Sequence, residues 1–441
     1  MKHMPMTTQP RLLLLWPYGI IGAESIPMCL SFLVPRIRDS TSFLSILDCS
    51  LRQLAPHSSE FASAVTAAAP DIIGISSWSQ NWRWVGMTIE VLRALVPHAK
   101  IVLGGPHVTA TGDIGGADYA LTGEAEWSFP LFIDALGADM PPSDMECIPG
   151  LRYRNQRTTT PTALVQDLDA LGLPDFDAML LRDYQQKGYK YRSGEILQAP
   201  ILATRGCPYT CSFCEAPLLS GRKIRKHSIA YLKELLIHLR VKYHTKHINI
   251  VDDNFTFHKD YAKEFCAMVL QTPICQDMTF ATPNGLRVER SDAEMFRLMK
   301  TAGWEWVIFA PESGSQRMVD IMAKHLDLGI LGEKVAQAHD AGLKIESFFI
   351  LNYPGETDAD VELTRQFIEK TPFDAIALHI FKPLPHTPIW RDLVESGRLP
   401  PDHIIGRYDE VEWLANGRTK EDITRQIALY GMAAKHIGRI A

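Results

Sequence analysis

The sequence predicts an α/β protein with two successive domains of parallel sheet, and three observations carry the prediction. Short apolar runs alternate with longer amphipathic stretches from about residue 10 to 140, and again from about 200 to 385. A stretch punctuated by Pro141, Pro142, Pro149, Pro161, Pro174 and Pro200 separates the two rhythms. The chain has 441 residues, which is long for one hydrophobic core. The expected organisation is a first domain over 1–140, a linker region over 141–199, a second domain over 200–385 and a C-terminal region over 386–441.

In the first domain Leu12–Trp16 reads as a strand and 26–37 as a helix. Phe43–Leu47 is the second strand, ending at Asp48. Phe61–Ala69 is a helix, Ile72–Ser76 a strand, Trp82–Val96 a helix and Ile101–Leu103 a strand. Tyr119–Leu121 and Trp127–Leu136 add a strand and a helix. Such repeats give a parallel sheet covered on both faces. A small hairpin is expected near Gly150–Arg157, and Tyr184–Tyr191 is an aromatic and basic stretch that lines or covers a cleft.

From Pro200 the rhythm resumes with strands at Ile201–Thr204, His247–Val251, Thr279–Thr282, Trp306–Ala310, Lys344–Ile350 and Ala375–Phe381. Helices at Ile229–His238, Tyr261–Leu270, Asp292–Ala302, Ile330–Ala341 and Asp360–Lys370 lie between them. Six steps fall short of the eight of a full barrel, so an open (β/α)6 barrel is expected, with a flat doubly wound sheet as the alternative. The tail, with Trp390, Tyr408, Trp413 and a helix from Glu421 to His436, is expected to form a helical lid.

The composition is 46% hydrophobic and 22% charged, ordinary for a folded soluble protein. A net charge of -6 argues against nucleic acid as a partner, although Arg222, Lys223, Arg225, Lys226 and His227 form a local basic run. The apolar stretch from Leu12 is broken at Pro17 and Gly19, too soon to span a bilayer, so no transmembrane segment and a cytoplasmic location are expected.

Three of the eight cysteines, Cys207, Cys211 and Cys214, lie within eight residues at C-x3-C-x2-C spacing. Three thiolates can hold three irons of a [4Fe–4S] cube and leave the fourth iron open to a small molecule. A closed zinc site needs a fourth ligand, for which His227 is the nearby candidate. Cys29, Cys49, Cys147, Cys266 and Cys275 are scattered and show no disulfide framework. Other chemistry-bearing residues stand just beyond predicted strands, where ligands of parallel sheets bind. In the first domain these are Tyr18, then Ser76 and Trp78, then Gly104, Gly105 and His107, then Gly123 and Glu124. In the second they are Asp252, Asp253 and Asn254, then Asn284 and Arg287, then Glu312.

The cysteine loop Arg205-Gly206-Cys207-Pro208-Tyr209-Thr210-Cys211-Ser212-Phe213-Cys214 resembles that of radical S-adenosylmethionine enzymes, with Glu312-Ser313-Gly314 and Tyr353-Pro354-Gly355-Glu356-Thr357 in support. Val102–His107 and Ala117–Glu126 resemble the cobalamin-binding domain fused to many of them. The resemblance spans most of the chain. It implies a Rossmann-like cobalamin-binding domain, then a partial (β/α)6 barrel with a [4Fe–4S] cluster on Cys207, Cys211 and Cys214. It also implies that Phe213, Asp252, Asp253, Asn284, Arg287, Glu312 and Gly355 serve S-adenosylmethionine. Tyr18, Ser76, Trp78, Gly104, Gly105, His107, Gly123 and Glu124 would serve cobalamin.

The implied activity is methylation of an unactivated carbon of a small molecule, through a 5'-deoxyadenosyl radical and methylcobalamin. Cyclisation, ring contraction or oxidation is the alternative, as is a first domain without cobalamin. A flavodoxin or ferredoxin would donate electrons. Two departures stand out. After Asp48 come Cys49 and Ser50 where cobalamin mutases carry D-x-H, and His57 lies nine residues on. In Lys382-Pro383-Leu384-Pro385-His386-Thr387, His386 replaces the family's glycine and is a candidate substrate contact.

Overall fold

The computed structural model describes residues 9–19, 26–156, 160–189, 194–406, 411, 413–435 and 437–440. The chain divides into two compact units: Met1–Tyr189 with Leu218–Ser220 and Gly397–Arg407, and Lys190–Pro217 with Gly221–Ser396 and Tyr408–Ala441.

The first unit begins with β1 (Arg11–Trp16), α1 (Met28–Ile37), β2 (Phe43–Asp48), α2 (Cys49–Arg52) and α3 (Ser59–Ala68). It continues with β3 (Ile72–Ser76), α4 (Trp82–Leu95), β4 (Lys100–Gly104), α5 (Pro106–Thr111), β5 (Tyr119–Leu121), α6 (Ser128–Gly137), β6 (Leu151–Tyr153) and α7 (Leu181–Gln186). The strand order is β2-β1-β3-β4-β5-β6, parallel as far as β5. Alternation at period two divides each run between two cores. Leu13, Leu15, Ile73, Ile75, Ile101 and Leu103 pack on one face. Leu12, Leu14, Ile72 and Val102 pack on the other. Ser58 starts α3 by accepting from the Phe61 amide.

The stretch expected to be a linker is packed into this unit as far as residue 189. Leu151–Tyr153 pairs antiparallel with Tyr119–Leu121, so it is the sixth strand of the sheet rather than half of a local hairpin. Val165, Leu168, Phe176 and Tyr184 are buried. Its prolines therefore shape a packed excursion. Thr158, Thr159, Arg157 and Tyr191 lie outside the described residues.

Beyond residue 190 the chain forms β7 (Gln198–Ile201), β8 (Thr204–Arg205), α8 (Ala216–Leu219), β9 (Arg225–Lys226), α9 (Ile229–Tyr243), β10 (His247–Ile250), α10 (Lys259–Leu270), β11 (Thr279–Ala281) and α11 (Ala293–Thr301). Then come β12 (Trp306–Glu312), α12 (Gln316–Ile321), α13 (Leu331–Asp340), β13 (Lys344–Leu351), α14 (Asp358–Lys370), β14 (Ala375–Ile380), α15 (Pro388–Glu395), α16 (Lys420–Ala433) and β15 (Ile437–Ile440). Parallel pairing runs β11-β10-β7 and β12-β13-β14-β15. Parallel bridges Phe280–Trp304 and Leu286–Phe309 join the two runs. Six strands are thus present in barrel order, but the first is Gln198–Ile201 rather than the expected Ile201–Thr204, because the chain leaves the sheet after Ile201 and Thr204–Arg205 pairs antiparallel with Arg225–Lys226.

The tail departs from the expected helical lid. It adds β15 parallel to β14, and α16 packs on α14. The four-residue strand follows a short break after α16 and is too brief to stand out in the sequence. Tyr408 and His436 lie outside the described residues.

Gly105 has φ +96°, and a Cβ there would meet the Ser77 carbonyl oxygen at 2.7 Å. Gly112 has φ +71° with open space around it. Gly105→Ala is expected to cost at least about 2 kcal/mol in chemical denaturation, and Gly112→Ala about half of that.

Candidate active site

The cysteine loop hangs between β8 and α8, and its backbone is fixed at both ends. Gly206 has φ +106°, and a Cβ would strike the Lys223 carbonyl oxygen at 2.5 Å. The Cys207 amide donates to the Gly221 carbonyl at 3.0 Å. Past the turn, the Ser212 amide donates to the Met322 carbonyl at 2.9 Å, and the Ser212 hydroxyl meets Tyr353 Oη at 2.7 Å. All three cysteines are free and half-buried. Burial pushes the Cys214 thiol up to about 12, with Cys211, Asp253 and Cys207 adding to the rise. Burial also raises the Cys207 thiol, with Asp253 and Cys211 contributing. The three thiols and Asp253 therefore share one electrostatic neighbourhood.

His227, the candidate fourth zinc ligand, is fully buried and stacks on Tyr231 with centroids 3.9 Å apart. Among the described residues no three His, Cys, Asp or Glu side chains are grouped to hold a single ion. Three half-buried thiols on one loop fit a cube, whose three ligated corners are separate irons.

Around the loop the expected residues divide by role. Arg287 places Nη1 4.0 Å from Cys211 Sγ and its guanidinium carbon 3.6 Å from the Tyr209 ring centroid. Its Nε donates to Glu289 at 2.6 Å. Phe213 meets Tyr353 edge-on at 6.3 Å. Glu312 is 7% exposed, has φ +69° and pairs with Lys324. Left-handed backbone at a non-glycine residue costs energy and gathers at functional sites.

Asp252 is turned inward, whereas Asp253 is exposed. The Asp252 carboxylate accepts from the Ala203 amide at 2.7 Å and the Thr204 hydroxyl at 2.8 Å. It ties the end of β10 to the chain entering the cysteine loop. Asn284 donates Nδ2 to the Val251 carbonyl at 2.8 Å, so its amide joins strand ends. The Asn254 side chain is buried beside the Cys207 thiol.

In the first unit the expected residues line the carboxyl edge of the sheet. The strand order changes direction between β1 and β3, the place where sheets of this type bind ligands. Trp78 meets Trp16 edge-on at 6.3 Å, and among the described residues its buried Nε1 has no hydrogen-bond partner. Tyr18 meets Trp84 at 4.8 Å. Ser76 lies beside the Cys29 thiol. Gly104 accepts from the Ser77 amide at 2.7 Å, which draws the β3 and β4 loops together.

His107 is buried, stacks on Trp82 at 4.0 Å and meets Ser79 Oγ at 3.0 Å. Gly123 has φ +83° and donates its amide to Thr109 Oγ1 at 2.9 Å. Glu124 accepts from the Val165 amide at 2.6 Å, a contact across 41 residues that sequence reading had no means to find. The position two after Asp48 is Ser50, fully buried, whose hydroxyl donates to the Pro17 carbonyl at 2.8 Å. His57 is exposed. A bare glycine pair and an unpartnered indole N–H at the ligand edge fit a broad flat ligand such as a corrin.

Two families match this chain. The radical SAM superfamily matches residues 201–368, and the B12 binding domain matches residues 43–133. The chain carries a radical SAM domain and a B12-binding domain. An uncharacterized methyltransferase of Pyrococcus horikoshii is 26% identical over 388 residues, 86% of this chain and 81% of that protein. The cytidylyl-2-hydroxyethylphosphonate methyltransferase of Streptomyces wedmorensis is 24% identical across 79% of this chain and 71% of its own. Among solved structures, the radical S-adenosylmethionine methyltransferase TsrM of Kitasatospora setae, with cobalamin and a [4Fe-4S] cluster bound, superposes with a TM-score of 0.73. That match has 15% identity and covers 96% of this chain and 89% of that chain; it is a likeness of fold.

Within the radical SAM domain, Gly355 has its backbone occupied. Its amide donates to Asn416 Oδ1 at 2.7 Å and its carbonyl accepts from Arg317 at 2.8 Å. The same turn reaches the cysteine loop through Tyr353 instead. His386 has φ +59°, the conformation that suits glycine, and its ring lies 4.8 Å from Trp390. Lys324 was missed in the sequence, because nothing in a helix-ending Met-Ala-Lys-His marks a lysine for burial.

Burial raises the Asp252 carboxyl to about 7. Unfolded, it titrates near about 4. The folded state holds the extra proton between these values, so stability from this group is present at acid pH and lost as pH rises through 7. Asp252→Asn should therefore gain on the wild type between pH 5 and pH 8 in anaerobic denaturation curves.

Proposed function

We propose that this protein is a cobalamin-dependent radical SAM methyltransferase acting on an unactivated carbon of a small molecule. The reading is carried by one observation: three half-buried thiols at C-x3-C-x2-C on one pinned loop, in a chain that also has a B12-binding domain. The methyltransferase relatives support the choice of methyl transfer over ring closure.

Cys207, Cys211 and Cys214 would hold the [4Fe–4S] cluster. Arg287, Phe213, Asp253 and Glu312 would surround S-adenosylmethionine, while Asp252 and Asn284 hold the strand ends behind them. The edge formed by Tyr18, Trp78, Gly104 and Gly105 would receive cobalamin. The buried Ser50 occupies the place of a mutase's histidine, so this loop offers the cobalt no imidazole. The bound cofactors together supply reductive cleavage of a sulfonium and transfer of a methyl group. The chain orients them and excludes water, with half-buried thiols and the aromatic rings of Tyr209, Phe213 and Tyr353 around the loop. An electron donor such as a flavodoxin or ferredoxin, in a reduced cytoplasm, completes the reading.

Anaerobic reconstitution followed by cobalamin binding and methyl transfer tests it. The wild type should take up about four irons per chain, and Cys207→Ala, Cys211→Ala or Cys214→Ala should abolish cleavage of S-adenosylmethionine. Cobalamin should bind at about one per chain, with the spectrum of a corrin lacking a nitrogen ligand below. Full iron loading with no cobalamin bound would sink the methyl-transfer reading.

A further inference from the structure

The basic run at 222–226 lies along the chain that enters the cysteine loop. The antiparallel ladder of β8 and β9 sets Lys226 opposite Thr204 and Arg225 opposite Arg205. Before β9, the Lys223 carbonyl packs against Gly206, and the Gly221 carbonyl accepts from the Cys207 amide at 3.0 Å. The run is thus held beside residues 204–207, the last of which is the first cysteine.

Arg222, Lys223 and Lys226 are exposed, whereas Arg225 and His227 turn inward. Lys226 Nζ stands 5.0 Å from the Tyr261 ring centroid. Across the loop the exposed Arg290 donates to Tyr209 Oη at 3.2 Å, and its guanidinium carbon lies 4.7 Å from the Phe257 ring centroid. The charges of Lys226 and Arg290 both reach His258, so the two flanks belong to one surface. All these residues are in the second unit. Among the described residues none of the four exposed cations pairs with a carboxylate, although the neighbouring Lys259 and Lys263 pair with Asp292, and Lys263 with Glu294 as well. The exposed acids close by in the chain are Asp253 and Asp260, which the four cations outnumber. The whole chain carries a net charge of -6, so this face runs against the composition. Like charges left side by side repel, and they attract an oppositely charged partner from a distance.

We propose that Arg222, Lys223, Lys226 and Arg290 form the docking surface for an acidic one-electron carrier protein. The inference rests on the proposed iron–sulfur chemistry and assigns a surface to its electron supply. A carrier seated there meets the chain at the backbone that bears Cys207. In the step it serves, the carrier's anionic flavin hydroquinone loses one electron and becomes the neutral semiquinone, and the [4Fe–4S] cluster gains that electron. The acidic balance of the chain favours a protein over a nucleic acid as the partner.

The test uses the anaerobically reconstituted full chain with flavodoxin as the carrier. A triple variant carries Arg222→Glu, Lys223→Glu and Lys226→Glu, and a milder one carries Arg222→Gln, Lys223→Gln and Lys226→Gln. Lys370→Glu, at the end of α14 and so at the opposite edge of the sheet, controls for net charge. Cluster reduction by flavodoxin hydroquinone is followed by stopped flow, and binding of oxidised flavodoxin by flavin fluorescence anisotropy. At low salt the Glu triple should be reduced at least about tenfold more slowly and bind correspondingly more weakly, with the Gln triple between it and the wild type. The wild-type rate should fall toward that of the Glu triple as salt is raised, and Lys370→Glu should match the wild type. Iron per chain and the extent of reduction by titanium(III) citrate should be equal in all. If the Glu triple loses iron, the Gln triple decides. Wild-type rate and binding in the iron-loaded triples would overturn the proposal. Wild-type reduction combined with lost affinity for transfer RNA would also overturn it, and would make the face a nucleic-acid site. A wild type that takes up no cluster, or whose cluster titanium(III) citrate cannot reduce, would instead refute the parent reading.

Discussion

The inward carboxylate of Asp252 holds the strand ends from which the cysteine loop hangs. Removing a carboxylate from water is costly unless hydrogen bonds replace the lost hydration. Here Ala203 and Thr204 supply them, and both lie just ahead of the loop. The same strand end receives Asn284 through the Val251 carbonyl, which brings the β11 loop alongside. Arg287, three residues on, then spans the Tyr209 ring and the Lys324 carbonyl. These contacts fix the loop to the strand ends around it, so its geometry is inherited in large part from the barrel.

Much of this could be read from the sequence, for identifiable reasons. The strand runs were legible because parallel strands covered on both faces are apolar throughout, as Leu12–Leu15 shows. Tyr119–Leu121 was found at its true limits because turn-forming residues bound it. The cysteine triad was legible because ligation to one cluster demands close spacing. Gly355 and Asp252 were less so. Their chemical types fit a cofactor pocket, but their partners Asn416 and Ala203 are far away in the sequence. Lys324 and β15 were not legible at all. One is buried through its pairing with Glu312 on another element, and the other is a four-residue strand defined by its neighbour.

The first unit shows how a binding edge is kept while one ligand is changed. Asp48 remains at the end of β2, but its carboxylate caps α2 through the Leu51 amide and accepts from Tyr184. Ser50 closes the adjacent loop onto Pro17. The local backbone is therefore stabilised by hydrogen bonds that a large imidazole at position 50 would displace. The glycine pair after β4 answers a different need, since the Ser77 backbone packs where a side chain at Gly105 would lie. Its value to any ligand is secondary to the closeness of β3 and β4.

The two compact units have a thermodynamic consequence. Chains of several units commonly unfold in more than one step, and a single melting temperature then does not describe them. Any molecule that binds only folded protein adds stability to the unit that holds it, in proportion to the logarithm of its concentration over its dissociation constant. A calorimetric trace can therefore report on each half of the molecule by name: corrin should move the transition of one, and iron, sulfide and sulfonium that of the other.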